Sequence, residues 1–241
     1  MKLIRLRWLA PLALLLALLV PASTLATSYA AVVSHGSRAV KVVALTFDDG
    51  WGTANCAKIV NILEATKTPA TFLPNAKWVA AAPTFWRHVA ALGFPLANHT
   101  YNHPDLTRLS YAAQFKEINS DRLAIEKITG KPMVRMLRPP FGAYNTTTRA
   151  AAAAAGFPTL LMWDTSFADS SRRPNGGLWP LSAYLKAATK GTDGSVILGH
   201  CGSPVDYQIL KSVIASYEAR GFKFVTIPQL FHLPGAKAMT F

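Results

Sequence analysis

The chain has 241 residues, 51% hydrophobic and 15% charged, with 25 Lys and Arg against 12 Asp and Glu, a formal charge of +13. That length suits one domain of ordinary size or one larger α/β domain, and that composition excludes a globally disordered chain. The basic balance suits either contact with anionic surfaces, such as acidic wall polymers or lipid headgroups, or a plainly soluble basic surface. No nucleic-acid-binding motif accompanies it, so no nucleic acid partner is expected.

The first segment, "MKLIRLRWLAPLALLLALLVPASTLATSYA", has Lys2, Arg5 and Arg7, then an apolar run from Trp8 to Val20, then small residues. This is the pattern of a secretory signal over residues 1–30, with Thr24-Leu25-Ala26 or Ser28-Tyr29-Ala30 before the cut. The alternative is an uncleaved anchor. The run, with Pro11 inside it, falls short of the roughly 20 residues that span a bilayer, so cleavage and no stable membrane insertion are expected. Without those three basic residues, 22 basic stand against 12 acidic, a formal +10. Residues 31–40 read as a short leader into the domain.

Strand-like and helix-like patterns then alternate. The strand candidates are 41–47, 70–74, 94–98, 134–138, 158–163, 195–200 and 222–227, mostly continuous apolar runs of the kind buried on both faces of a parallel sheet. The helix candidates are 54–67, 76–92, 110–129, 145–155, 182–190 and 204–220. Gly93, Gly130, Gly156, Gly191 and Gly221 fall at or after five helix ends, where C-terminal caps belong. Seven strands with six helices between them suggest a (β/α) barrel, although periodicity alone does not separate it from an open doubly wound sheet.

The polar residues fall in a pattern of their own. Asp48, Asp49, His99, Arg138, Asp164 and His200 all lie at or just beyond the C-terminal end of an expected strand, the face that carries active sites in parallel α/β folds. In "NHTYNHP" (98–104), His99 and His103 are four apart, so a helical turn would put both imidazoles on one face, as two ligands of one metal require. Asp48 and Asp49 would point to opposite faces of a regular strand, but at a strand end beside Gly50 and Gly52 the chain can turn. One carboxylate could then complete a His-His-Asp metal site while the other stays off the metal as a base. Arg138 opens "RPPFG" and can pair with a carboxylate. His200 ends "ILGH".

Taken in order, "TFDDG" (46–50), "HTYNH" (99–103), "RPPFG" (138–142) and "LGH" (198–200) resemble the motifs of the NodB-homology polysaccharide deacetylases, carbohydrate esterase family 4. The resemblance implies a distorted (β/α) barrel with about seven parallel strands over residues 31–241. It implies hydrolysis of N-acetyl, sometimes O-acetyl, groups on glycans. It makes Asp48 the general base, Asp49, His99 and His103 the ligands of one divalent metal, and His200 the general acid. Arg138 would orient Asp48, Leu198 would line the pocket for the acetyl methyl, and the Phe141 backbone N–H would hold the oxyanion. Zinc suits the donor set, with cobalt or nickel as alternatives.

One motif departs from the family. Its D-x-x-D-W segment falls on "WDTSFADSS" (163–171), with Ser166 at the first Asp and Ser170 at the Trp. Asp169 matches the second Asp, the support of the acid histidine, and Asp164 is its rival. The lost aromatic wall could be supplied by Trp179, which could equally be a core residue. Cys56 and Cys201 both lie beside motif residues, and an even count in an exported protein leads us to expect a Cys56–Cys201 disulfide.

The expected protein is a secreted or wall-associated monomer that deacetylates a peptidoglycan or chitin-like glycan. An O-acetyl esterase on xylan and a non-catalytic glycan-binding wall protein are the alternatives. The presence of both Asp48 and His200 counts against the last, since binding alone needs no matched base and acid.

Overall fold

The computed structural model describes residues 28–239. The expected leader lies outside them except for Ser28, Tyr29 and Ala30. Among the described residues there are nine strands, named in chain order: β1 Ala31–Val33, β2 Val42–Asp49, β3 Ala70–Pro74, β4 Ala97–Asn98, β5 Val134–Leu137, β6 Thr159–Leu161, β7 Thr165–Ser166, β8 Ser195–His200 and β9 Lys223–Phe224. Every strand pairing is parallel. They form two sheets, β1-β6-β5-β4 and β3-β2-β8-β7, with β9 also on β2. A Phe72–Leu96 bridge joins the sheets on one side. On the other, an antiparallel His35–Ser195 bridge ties the chain after β1 to the start of β8. The result is the expected barrel, distorted and weakly closed.

The α-helices of the described residues are α1 Thr53–Ala65, α2 Ala76–Ala81, α3 Pro83–Ala91, α4 Tyr111–Thr129, α5 Thr146–Ala154, α6 Leu181–Ala188, α7 Pro204–Ala219 and α8 Ile227–Leu230. Strand β2 shows how the layers are specified. Val43, Leu45 and Phe47 alternate to the outer face and pack with Cys56, Ile59 and Leu63 of α1 and Leu210 and Val213 of α7. Ala44 faces the interior with Leu73, Ala97, Met136, Leu161 and Val196. Ile227 and Leu230 of α8 belong to this inner cluster, and Ile227 N–H donates to Thr71 Oγ1 near the start of β3. These residues give the barrel an apolar inner floor, and Asp48, His99, Arg138 and His200 lie at the opposite rim.

All seven expected strands are present, several of them shorter than their apolar runs. Residues 31–33, read as a leader, are a strand because Val32 and Val33 pair with Leu160 and Leu161. The expected helix over 76–92 is two helices. Pro83 cannot donate to the ladder, and Ala82 leaves helical geometry at φ −135°. The run 222–227 keeps two strand residues because Thr226 caps α8, accepting from Gln229 N–H. Gly130 ends α4 at φ 68°, as a glycine cap should. Gly191 is not a left-handed cap. Its N–H donates to the Tyr217 hydroxyl, which occupies the space a Cβ would need.

Cys56 of α1 and Cys201, the residue after β8, are joined in a buried disulfide with Cα atoms 4.7 Å apart. The bridge closes a loop with a sequence separation of 145 residues. Cross-linking so long a loop restricts the unfolded chain by about 5 kcal/mol in the chain-entropy description. A Cys56→Ala/Cys201→Ala double variant should lose stability of about that size in urea unfolding, and a non-reducing peptide map should recover the two cysteine peptides joined.

Candidate functional site

The site is built at the C-terminal rim, and it begins with a backbone distortion. On a regular strand Asp48 and Asp49 would diverge. Asp49 has φ 72°, so the chain turns as β2 ends and both carboxylates reach the same space. The turn is held from both sides: Asn75 N–H donates to the Asp49 carbonyl at 2.8 Å, and Cys201 N–H to the Asp48 carbonyl at 2.9 Å. Thr100, His103, Phe141 and Ala168, all in the loops around this rim, also have positive φ. Most of the non-glycine left-handed residues of the described chain are thus gathered here, where the surrounding structure holds them.

His99 and His103 do come together, but not on a helical turn. The chain from His99 to Asp105 is a loop bent at Thr100 (φ 67°) and His103 (φ 61°). Side chains enforce the bends: Asn98 Oδ1 accepts from Thr100 N–H, and Thr100 Oγ1 accepts from His103 N–H. The rings lie 4.9 Å apart between centroids.

His99 Nδ1 is 2.7 Å from the Arg138 carbonyl. A carbonyl only accepts, so Nδ1 carries the hydrogen and Nε2 is turned to the carboxylates. Asp49 Oδ1 lies 3.4 Å from His99 Nε2 and 3.4 Å from His103 Nε2. It is buried and has no hydrogen-bond partner. Donor atoms held about 2.1 Å from one tetrahedral ion lie about 3.4 Å from each other. Asp49, His99 and His103 therefore fit a divalent cation, and the unpartnered Oδ1 is the observation that calls for one. Burial opposes charge on both His99 and Asp49, yet the neighbouring carboxylates push His99 up and the histidines hold Asp49 well below the usual carboxylate range. Burial and the charge of His99 push His103 down, which favours the neutral, ligating form.

Asp48 lies beside this triad, with Oδ2 3.7 Å from His99 Nε2. Its Oδ1 is 2.6 Å from Arg138 Nη1. Arg138 is completely buried and also donates to Thr46 Oγ1 and to the carbonyls of Leu161 and Met162. Strand register sets His200 beside Asp48 across the β2–β8 pairing. His200 Nδ1 is 2.9 and 3.0 Å from the two Asp169 oxygens. Burial disfavours the imidazolium, but Asp169 outweighs it and raises the pKa to about 9. Alternation along β8 turns Val196, Leu198 and His200 to the interior, and Leu198 is buried beneath the site. Phe141 stands outside it, 70% exposed, its ring 4.6 Å from that of His103.

Asp164 is not the partner of His200. It accepts from Val196 N–H and Ser195 Oγ and pairs with Arg38, all at the start of β8, the far end from His200. Trp179 is not at the site either. It stands beside Arg173, while Leu178 lines the cavity next to His200.

Several residues here carried no sequence signal. Asn75 donates to the His99 carbonyl, and buried Asp121 accepts from Ala76 N–H and His99 N–H. Asp206, wholly buried, accepts from His200 N–H. In the sequence Asp121 and Asp206 are indistinguishable from solvated helix acids. Trp51 donates its indole N–H to Asp49 Oδ2 at 3.1 Å, and its only signal was adjacency to "DDG".

Residues 35–160 match the family model for polysaccharide deacetylase. The chain is 29% identical over 202 residues to a chitooligosaccharide deacetylase of Bradyrhizobium, covering 78% of this chain and 90% of that protein. It is 26% identical over 195 residues to a Bacillus subtilis peptidoglycan-N-acetylmuramic acid deacetylase, covering 81% of this chain and 73% of the other. Its structure is similar to that of an activity-restored mutant of a Bacillus anthracis family 4 carbohydrate esterase pseudoenzyme, with TM-score 0.76, 25% identity and coverage of 83% and 71%.

Adding Zn²⁺ to metal-stripped protein should raise its melting temperature with a stoichiometry near one, because an ion bound only by the folded state stabilises it. Asp49→Ala should abolish the rise in differential scanning fluorimetry. Arg138→Met should cost about 3–5 kcal/mol in urea unfolding, since it leaves the buried Asp48 carboxylate without its cation.

Proposed function

The chain belongs to the polysaccharide deacetylase family, and on that premise we propose that it is a secreted or wall-associated, metal-dependent hydrolase of N-acetyl groups on a peptidoglycan or chitin-like glycan. One observation carries the reading: Asp48 and His200, in register on neighbouring strands, flank the three-donor cluster of Asp49, His99 and His103. The fold alone would not carry it, because a pseudoenzyme shares the fold.

Asp49, His99 and His103 would hold the ion, for which zinc is our choice and cobalt or nickel the alternatives. A divalent ion bound there would supply Lewis acidity. Asp48, oriented by Arg138, takes the proton from a water as it attacks the acetyl carbon. The Phe141 backbone N–H meets the negative charge that develops on the acyl oxygen. Leu198 lines the floor on which the acetyl methyl rests. His200, protonated and aligned by Asp169, delivers a proton to the departing nitrogen. An alkoxide leaves an ester more readily than an amine anion leaves an amide. A strongly supported acid therefore favours N-acetyl over O-acetyl substrates.

Of the two expected cut sites, after Ala26 and after Ala30, we favour the earlier. Ala30 is fully buried, its N–H donates to the Arg149 carbonyl, and its carbonyl accepts from Arg149 Nε. A cut after Ala30 would remove a packed residue, so the cut after Ala26 suits the fold. Chemical sequencing of the exported protein should begin at Thr27, and a start at Ala31 overturns this. Among the described residues no helix is long and apolar enough to cross a membrane. We take the exported protein to be a monomer, which sedimentation would test.

Acetate should be released from N-acetylglucosamine oligomers or peptidoglycan, and the release should vanish with chelator and fall at least about 10³-fold in Asp48→Asn. Release that survives chelator rejects the mechanism. His200 must be protonated to act, so activity should fall as pH rises through its pKa, about 9 without metal and lower once a divalent ion adds its positive charge. Asp169→Asn removes the support of the imidazolium, so the alkaline limb of kcat should move to lower pH.

A further inference from the structure

Two cavities adjoin the metal-fitting cluster. One, of about 330 Å³, is lined by Asp49, Asn75, Lys77, Trp78 and His103. The other, of about 220 Å³, is lined by Asp169, Arg172, Leu178, His200 and Val205. Trp51 lines both. It is 40% exposed, an unusual state for a tryptophan that is also held in place. Its indole N–H is tied to Asp49 Oδ2. Behind it lies Gly202, where an added Cβ would come within 2.6 Å of the indole atoms Cδ2 and Cε3 and would meet the Trp51 carbonyl. Only a glycine lets the ring lie this close to the chain that follows His200. The ring is thus pinned on its edge and backed by flat backbone, while the remainder of it meets solvent between the two cavities.

We propose that Trp51 is a stacking platform for a pyranose ring at the reacting position, and that the glycan continues from it into both cavities. An indole face is apolar and polarisable, and the C–H face of a sugar ring is the apolar surface a glycan offers it. Because cavities open on both sides of the platform, the substrate is an internal unit of a polymer rather than a chain end. This inference rests on the deacetylase reading for its ligand class.

The test separates the ring from its N–H. Trp51→Phe keeps an aromatic face but loses the bond to Asp49, and Trp51→Leu loses both. Binding of N-acetylglucosamine oligomers of two to six units is measured by calorimetry in the Asp48→Asn background, so that turnover does not intervene. KM and kcat for acetate release are measured in the catalytically intact background. Trp51→Leu should weaken oligomer binding and raise KM about tenfold, the size of one aromatic contact. Trp51→Phe should stay within about threefold in binding, and the gain in affinity with oligomer length should be steepest when Trp51 is present. Equal losses for Leu and Phe would overturn the platform and leave Trp51 as a positioning residue for Asp49, as would unchanged binding by Trp51→Leu. If the intact protein releases no acetate but binds oligomers in a Trp51-dependent way, the deacetylase reading falls and the platform stands. If it binds none of the oligomers, the platform falls.

Discussion

A guanidinium taken wholly out of water costs several kcal/mol unless each of its donors finds an acceptor. Arg138 leaves the end of β5 and sits completely buried at the barrel rim. It bonds Asp48 and Thr46 on β2 and the carbonyls of Leu161 and Met162 at the end of β6. One side chain thus ties three strands together on the inside, where β4 and β7 contribute only two paired residues each. Its backbone takes part too, since the Arg138 carbonyl orients His99. The orientation of Asp48, the tautomer of His99 and the spacing of the rim all depend on this buried group.

The site is also where the chain departs from regular geometry. Asp49, Thr100, His103, Phe141 and Ala168 adopt left-handed angles that ordinary residues avoid. Each turns a functional group, or the loop beside it, toward a common space. The neighbouring structure sustains these bends through Asn75, Asn98 and Asp121, which satisfy the loop's backbone donors and acceptors. The disulfide adds a covalent restraint, tying α1 to the residue after His200. A site that needs carboxylates and imidazoles at fixed separations gains from rigidity of this kind.

Much of this was legible in one sequence. The apolar runs marked seven strands, because strands buried on both faces have little choice of composition. The ordered segments around Asp48, His99, Arg138 and His200 marked the rim, because a parallel barrel places its chemistry at strand ends. Short elements were not legible. Residues 31–33 form a strand only because β6 offers an open edge. The His99–His103 spacing pointed to a helical turn, and the bonds of Asn98 and Thr100 made it a loop. Asp164 and Asp169 were equal rivals on paper. The path of the chain from β6 into β7 put Asp164 at the floor and Asp169 on His200.

What the sequence by itself determined was the class of fold, the set of chemical groups and the two cysteines that join. Those follow from hydropathy, residue type and order, which are properties of the chain alone. Tertiary structure decided which carboxylate faces which imidazole, that Asp49 Oδ1 is left buried without a hydrogen bond, and that Trp51 rather than Trp179 stands at the cavities. Such matters depend on distances of a few ångströms between residues far apart in the chain, and no local pattern encodes them. Coulomb and hydrogen-bond energies change steeply over those distances. For this protein the chemical groups were readable in advance, and their pairing emerged only when the strands came together.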